Sequence, residues 1–124
     1  MARFGFEKLD VWKKAVGFAG QIYTVTRRFP TEERFGLTNQ LRRAAVSIPS
    51  NIAGGNSRSS ERDRMRFVEI AYGSLMEIVS QLAIARQQLF LSEEAEQMPR
   101  ADADELARML SGLKSSLTRN QPEK

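Results

Sequence analysis

The sequence predicts an all-α fold, an antiparallel up-down-up-down bundle of four helices. Apolar residues recur at steps of three and four through four separate stretches, as they do on one face of an α-helix. No stretch shows the alternation of β-branched and polar residues that is typical of a strand. The connections between the four stretches are short, which favours antiparallel neighbours. A chain of 124 residues is expected to form one domain, residues 1–124.

The first helix is predicted over about residues 8–28. We expect one apolar row to face the core, comprising Leu9, Trp12, Val16, Ala19, Tyr23 and Thr26. A second row lies beside it, comprising Val11, Phe18, Ile22, Val25 and Phe29. The apolar arc is therefore wider than a monomeric surface helix needs. Pro30 ends the helix, because the residue before a proline disfavours the α conformation.

The second helix is predicted over about residues 33–54, with a break around Gly36. Its apolar face comprises Leu37, Leu41, Ala44, Ala45, Ile48 and Ile52. Pro49 lacks a backbone N–H and its ring crowds the carbonyl of residue 45, so we expect a bent helix. The pair Gly54-Gly55 is expected to stop it, because glycine tolerates the left-handed cap conformation. Three polar residues near the proline either satisfy backbone groups that it frees or bind a ligand: Ser47, Ser50 and Asn51.

The third helix is predicted over about residues 60–90, with Ser60 and Asp63 forming a capping box. Its core row comprises Phe67, Ala71, Leu75, Ile78, Leu82, Ala85 and Leu89. A second apolar row runs beside it and comprises Met65, Tyr72, Met76, Val79, Ala83 and Phe90. As in the first helix, this arc is too wide for one monomeric bundle.

The fourth helix is predicted over residues 102–118, with Ala103, Leu106, Met109, Leu110, Leu113 and Leu117 on its apolar face. Pro99 leaves two readings for residues 92–100, an extra turn or the frayed start of this helix. Residues 118–124 are expected to be a disordered tail.

Composition removes several classes of function. The chain has no cysteine and no histidine, which excludes disulfides, thiolate metal sites and the commonest general base. We therefore predict no catalytic site, no metal and no cofactor. The N-terminal residues contain no apolar run suited to a signal peptide, and no run of 18 apolar residues occurs. We expect a cytoplasmic bacterial protein without a membrane partner.

The net charge of +4 is unevenly distributed. Residues 26–66, here called the basic segment, carry nine arginines and four acidic residues. Residues 67–124 carry six basic and nine acidic residues. Such asymmetry indicates either nucleic-acid binding or complementary faces that meet in an oligomer.

Arginine binds phosphate well because its planar guanidinium donates two parallel hydrogen bonds. The candidate nucleic-acid-binding residues are Arg27, Arg28, Arg42, Arg43, Arg58, Arg62, Arg64 and Arg66. In an up-down bundle the end of the first helix and the start of the third lie at opposite ends, so one monomer is not expected to gather all eight. A ring could still bring them together between subunits. The alternative is that these arginines are solvated, or paired with the acidic fourth helix or a neighbouring subunit.

The widened apolar arcs predict a subunit interface. Its candidate residues are Phe18, Ile22, Val25, Met65, Tyr72, Met76, Val79 and Phe90. An exposed apolar row of that length otherwise promotes aggregation. The alternative is a deeper core within the monomer, covered by an N-terminal arm that includes Phe4 and Phe6.

The sequence resembles the 23S rRNA-intervening-sequence proteins, small bacterial proteins often encoded within or near insertions in ribosomal RNA genes. Three pieces match in order and spacing over about residues 4–113: FEKLDVWKKA, FP-x-x-ERFGLTNQLRRAAVSIPSNIA and IAYGSLMEI. The family usually has Glu before the Gly that ends the second helix, where this chain has Gly54.

The resemblance implies an antiparallel four-helix bundle that assembles into a ring-shaped homo-oligomer, with a pentamer as the expected form. Family members have no established enzymatic activity. A related accessory protein of diversity-generating retroelements has the same fold and binds nucleic acid and a reverse transcriptase. The resemblance therefore implies a non-enzymatic oligomer that binds RNA or DNA, and the alternative is a protein-interaction scaffold that binds no nucleic acid.

Overall fold

A computed structural model describes residues 4–119. Four α-helices follow one another in that part of the chain: α1 (Asp10–Thr26), α2 (Leu37–Asn56), α3 (Glu61–Gln87) and α4 (Glu93–Arg119). Two short 3₁₀-helices precede α1 and α2, at Gly5–Lys8 and Thr31–Glu33. Residues 4–119 contain no strand, so the all-α prediction is confirmed.

The direction of α2 relative to α3 follows from two hydrogen bonds between them. Gln81 donates an amide N–H to Gln40 over 3.3 Å, and the hydroxyls of Ser47 and Ser74 lie 3.0 Å apart. The contact that is later in α2 is earlier in α3, so the two helices run antiparallel.

The packing of α3 against α4 follows the same rule. Lys114 pairs with Glu69 over 3.0 Å, and Arg86 pairs with Glu96 over 2.6 Å. Because the order of contacts is again reversed, α3 and α4 are antiparallel. Contacts between α1 and α4 close the bundle, so each helix packs against two others.

One hydrophobic core runs through the bundle. The predicted apolar faces of α2 and α4 are confirmed, since all six face residues of α2 are buried, as are Ala103, Leu106, Leu110 and Leu117 of α4. The largest fully buried side chains come from all four helices: Phe18, Ile22, Leu41, Ile48, Leu75, Ile78, Leu82, Leu106 and Leu110.

The predicted core face of α1 is wrong by a rotation of the helix. Of the predicted row only Thr26 is buried, while Val16 is 44% exposed and Tyr23 is 36% exposed. The buried residues of the second row are Val11, Phe18, Ile22 and Phe29, and Ala15 is buried beside them. Burial of apolar area decides between two adjacent rows, and turning Phe18 and Ile22 inward buries more than turning in Val16 and the polar-tipped Tyr23.

The second helix begins later than predicted. Thr31–Glu33 form a separate 3₁₀ turn, and the backbone of Gly36 is non-helical, with φ −112° and ψ −115°. The Glu33 carboxylate accepts a hydrogen bond of 3.1 Å from the backbone N–H of Leu37. That carboxylate supplies a partner for one of the free N–H groups at the start of α2.

The glycine pair does not stop α2, contrary to the prediction. The helix continues through Pro49 and past both glycines to Asn56, and no glycine in residues 4–119 has a positive φ. Gly55 is instead needed for close packing, because a Cβ atom there would lie 2.8 Å from the Cβ of Phe67. The bend at Pro49 stays a prediction.

The third helix starts as predicted, because the Ser60 hydroxyl accepts a hydrogen bond of 3.0 Å from the Asp63 N–H. It ends earlier than predicted, at Gln87, and Leu89 follows in the left-handed conformation with φ 63°. Leu89 is 89% exposed and Phe67 is half-buried, so neither belongs to the core row as predicted, and Val68 is buried in that row.

The fourth helix starts at Glu93, well before the predicted residue 102. The Ser92 hydroxyl accepts a hydrogen bond of 3.0 Å from the N–H of Ala95, which caps this start. Pro99 lies within the helix, so the span 92–100 is neither a separate turn nor frayed. Residues 118 and 119, predicted as tail, belong to α4, and residues 120–124 lie outside the described residues.

Candidate nucleic-acid interface

The eight candidate arginines lie in two groups. Arg27 and Arg28 follow α1 directly, and Arg42 and Arg43 lie in the second turn of α2. The other four lie in the α2–α3 loop and the first turns of α3: Arg58, Arg62, Arg64 and Arg66. Because α2 runs the length of the bundle between them, the two groups are at opposite ends.

The side chain of Arg42 forms contacts within the bundle. Its Nε donates a hydrogen bond of 2.9 Å to the hydroxyl of Thr26, and its guanidinium lies 4.8 Å from the centre of the Tyr23 ring. Thr26 is buried at the end of α1, where its hydroxyl also donates to the carbonyl of Ile22 over 2.7 Å. Arg42 therefore ties α1 to α2, which leaves its two terminal nitrogens for another partner.

Arg64 is also committed to the fold. Its Nε donates a hydrogen bond of 2.8 Å to the carbonyl of Arg58, and a terminal nitrogen pairs with Glu61 over 3.2 Å. These contacts fix the α2–α3 loop on the first turn of α3. Arg64 is therefore less available to an outside partner than its position in the sequence predicts.

Arg58 lies over an aromatic ring. Its guanidinium is 4.9 Å from the centre of the Phe67 ring, and a Cβ atom at Gly54 would lie 3.3 Å from that ring. Gly54 thus leaves room for Phe67, on which Arg58 rests. Arg62 and Arg66, four residues apart on one face of α3, are both exposed.

The remaining arginines of the first group are free. Arg27, Arg28 and Arg43 are exposed and take part in no ion pair within residues 4–119. The side chains of six of the eight candidates therefore form no ion pair or hydrogen bond within residues 4–119. The alternative of pairing with acidic α4 does not occur within the described part of the monomer.

The acidic residues of α4 that form ion pairs have other partners. Lys14 of α1 binds Asp102 over 2.8 Å and Glu105 over 2.9 Å, and Gln21 also donates to Asp102. The hydrogen bonds from Lys14 and then Gln21 lower the pKa of Asp102. The hydrogen bonds to Asp102 and Glu105 raise the pKa of Lys14. This cluster joins α1 to α4.

Two grooves flank the surface of α2. The groove towards α3 has a volume of about 360 Å³, and its polar lining includes Asn39, Gln40, Arg43, Ser47, Glu77 and Gln81. The groove towards α1 has a volume of about 440 Å³ and is lined by Tyr23, Asn39, Arg42, Arg43, Val46 and Ser47. Three residues of α2 line both grooves: Asn39, Arg43 and Ser47.

The polar residues beside Pro49 bind one another and the helix. Asn51 donates to the carbonyl of Ser47 over 2.8 Å and to its hydroxyl over 2.9 Å. The carbonyl that Pro49 leaves without its helical donor is that of Ala45. Asn51 therefore satisfies a neighbouring carbonyl, and the Ser47–Ser74 contact extends this network to α3.

Two candidate interface residues are wrong, because Phe18 is 1% exposed and Ile22 is 0% exposed within the monomer. They belong to the deeper core within the monomer, which was the alternative to a subunit interface. Four others are half-buried against that core: Val25, Met65, Val79 and Phe90. The exposed members of the predicted interface are Tyr72 and Met76, at 37% and 39%.

The third helix is unusually apolar for its exposure. Within residues 4–119 it alone is long and apolar enough to cross a membrane by length and composition, a test that core helices of soluble bundles also pass. Only 33% of its most apolar 18-residue window is buried in the monomer. The exposed large apolar side chains of α3 are Ile70, Tyr72, Met76 and Ile84.

The most exposed aromatic side chain was not among the candidates. Phe35, in the loop before α2, is 86% exposed, and the Arg34 guanidinium lies 5.2 Å from the centre of its ring. The signal was present in the sequence, since an aromatic residue beside an arginine in a predicted break has no helical face to bury it. No group of three or more acidic side chains in residues 4–119 is placed to hold a metal ion.

The model of one family, the 23S rRNA-intervening sequence proteins, matches residues 7–112. The chain belongs to this family. A solved structure from the S23 ribosomal protein family, a protein of unknown function from Bacteroides thetaiotaomicron, superposes with a TM-score of 0.78 at 21% identity. The match covers 84% of this chain and 97% of that one, which supports the family fold. No curated protein matches the sequence.

Proposed function

We propose that this chain is a non-enzymatic, self-associating helical bundle that binds RNA or DNA through the arginines of the basic segment. One observation carries the proposal. Of the nine arginines in residues 26–66, Arg64 alone forms an ion pair within residues 4–119. The acidic side chains of α4 that form ion pairs do so with Lys14 and Arg86, outside that segment.

Unpaired arginines are suited to phosphate for two reasons. A guanidinium that has no internal carboxylate partner loses no ion pair when it binds phosphate. Its binding also releases counterions from the nucleic acid, which gives most of the affinity and makes it depend on salt. The charge of the basic segment is thus available for a polyanion, whereas Glu96, Asp102 and Glu105 of α4 are paired within the bundle.

The test is a gel-shift titration at low salt with structured RNA and with duplex DNA. We expect retention of nucleic acid that weakens steeply as salt is added. The double variant Arg62→Gln/Arg66→Gln should weaken retention. The matched control, Arg100→Gln/Arg108→Gln, removes two exposed charges from α4 and should leave retention nearly unchanged. Absence of retention of every nucleic acid at low salt contradicts the proposal.

Self-association is the second part of the proposal. Support comes from the exposed apolar surface of α3, where Tyr72 and Met76 are accompanied by half-buried Met65 and Val79. Burying such a surface against another copy removes apolar area from water. Membership of the family favours a ring, and a pentamer of the 14.0 kDa chain would have a mass of roughly 70 kDa.

Light scattering tests this part. We expect a mass several times that of the chain at micromolar concentration, and Met76→Glu should reduce it, because a buried unpaired carboxylate is costly. The control is Met98→Glu, which adds the same charge at a 67% exposed position of α4. A monomeric mass for the unaltered protein contradicts the self-association proposal.

A protein-interaction scaffold is the alternative, and the same exposed apolar surface of α3 favours it. In that case the arginines provide interface charges for another protein. A defined protein partner that is recovered after nuclease treatment, without retention of nucleic acid in the gel shift, would select this alternative.

A further inference from the structure

The stretch from Arg34 to Ser60 contains no acidic residue. It carries four arginines and includes the whole of α2, Leu37–Asn56. A helix of this length extends about 30 Å, at 1.5 Å per residue. A polyanion lying along α2 would therefore meet no carboxylate from α2 itself over nearly the whole length of the bundle.

The side of α2 that faces away from the core is mostly polar, and Val46, which is 44% exposed, is its one large apolar residue. Asn39, Arg43, Ser47 and Ser50 recur at steps of three and four, so they lie on one face, here called the outer face of α2. The grooves on either side of α2 meet at the first three of these residues. The outer face connects the two arginine groups, which are otherwise separated by the length of the bundle.

Carboxylates near this face come from other elements. Glu77 of α3 lines the groove beside Arg43. In the loop before α2, Glu33 accepts a hydrogen bond from the N–H of Leu37, whereas Glu32 is exposed. These carboxylates lie beside the outer face. A nucleic-acid strand can therefore run along that face from the arginines at one end of α2 to those at the other.

Three contacts between an arginine and an aromatic ring lie beside α2 or at its ends. Arg34 lies over Phe35 at its start, Arg42 over Tyr23 beside α2, and Arg58 over Phe67 at its end. Unpaired bases stack on aromatic rings and on guanidinium planes, whereas the bases of a duplex are already stacked on one another. Aromatic rings along a basic path therefore favour a single strand over a duplex.

From this placement we propose that the outer face of α2 is a track for single-stranded nucleic acid. The arginines at its two ends bind phosphates, and Phe35, with its ring 86% exposed, stacks an unpaired base. Amide side chains in the groove towards α3, Asn39 and Gln40, contact base edges. This inference rests on the proposed function, of which it specifies the class of ligand and the binding surface.

The test is fluorescence anisotropy with labelled oligo(dT), oligo(rU) and a DNA duplex of the same length, on the unaltered protein at low salt. We expect both single strands to bind more tightly than the duplex. Phe35→Ala should weaken single-strand binding by roughly 5- to 100-fold and leave duplex binding unchanged, given the usual strength of base–aromatic stacking. Leu89→Ala, which truncates an equally exposed apolar side chain in another loop, is the control.

A charge substitution tests the path itself. Ser50→Glu places a carboxylate on the outer face between the two arginine groups and should weaken single-strand binding several-fold. The matched control is Ser115→Glu on the exposed surface of α4, which should have little effect. Circular dichroism on each variant verifies that the bundle remains folded.

The outcomes separate the inference from the proposed function. Tighter binding of duplex, together with no effect of Phe35→Ala, overturns the single-strand track and leaves nucleic-acid binding intact. Equal losses from Ser50→Glu and Ser115→Glu show that only net charge matters, which also overturns it. No binding of any of the three probes overturns both.

Discussion

Helices α2 and α4 have similar inner faces and opposite outer ones. Each contains a proline, and each buries an apolar face that its sequence predicts. The charged residues of α2 are both arginines, whereas most of those in α4 are acidic, and the two sets have different partners. In α4, Glu96, Asp102 and Glu105 pair with neighbouring helices, whereas α2 has no acidic residue and its exposed Arg43 forms no ion pair within residues 4–119. The difference indicates that the three paired acidic residues of α4 join it to its neighbours, while Arg43 of α2 is left for a partner.

The largest expected effects test the similarity of the inner faces. Ile48→Ala in α2 and Leu106→Ala in α4 each truncate a side chain that is 0% exposed. Both should lower the free energy of unfolding by about 2–5 kcal/mol, through lost transfer energy and a residual cavity. Chemical denaturation measures this. A loss below about 1 kcal/mol in only one helix would show that the two faces are not equivalent.

The next effect concerns the close approach of α2 to α3. Gly55→Ala should destabilise the protein by about 1–3 kcal/mol, because the new Cβ atom would lie 2.8 Å from the Cβ of Phe67. The control is Gly17→Ala in α1, where the added Cβ meets no atom within 4 Å. Alanine is the better helix former, so that variant should gain about 0.5–1 kcal/mol. Equal gains in thermal unfolding would contradict the close approach.

The smallest effect tests the use of charge in α4. Asp102→Asn should lower the free energy of unfolding at pH 7 by about 0.5–1 kcal/mol, as for a partly exposed ion pair. The pKa of Asp102 is lowered by folding, so its contribution is present above the ordinary value of 3.8 and is lost on acidification through the folded value. The difference from the unaltered protein should therefore disappear at low pH.

The control for this pH dependence is Asp104→Asn. Asp104 is exposed on the same helix and takes part in no ion pair within residues 4–119. Its substitution should leave the pH profile of stability unchanged. A profile for Asp102→Asn that is parallel to that of the unaltered protein would show that the cluster with Lys14 contributes nothing.

The fold could be predicted from the sequence wherever one apolar row stands alone. In α2 and α4 the polar residues leave a single face to bury, so periodicity identified it. In α1 two apolar rows are adjacent, and the choice between them depended on packing against other helices. Gly55 was misread for a similar reason, because its proximity to Phe67 is a contact between helices that no local pattern records.

The candidate site was predictable in composition and less so in detail. The sequence placed the arginines in two groups, and the described structure agrees. It did not indicate that Arg42 binds Thr26 or that Arg64 binds the carbonyl of Arg58, because these partners depend on how the ends of the helices meet. The apolar pattern does not identify Phe35 as a site residue, because Phe35 contributes to no apolar row, and for the same reason it is exposed.

The central claim is that phosphate binds at the arginines of the basic segment and not at the exposed arginines of α4, which lie among acidic residues. The salt dependence of single-strand affinity tests it most directly, measured for the unaltered protein and both arginine double variants. The magnitude of the slope of log affinity against log salt should fall by about 1.4 for Arg62→Gln/Arg66→Gln, as expected for two lost phosphate contacts to a single strand. It should not change for Arg100→Gln/Arg108→Gln. Equal changes in both variants, or no change in either, would contradict the claim.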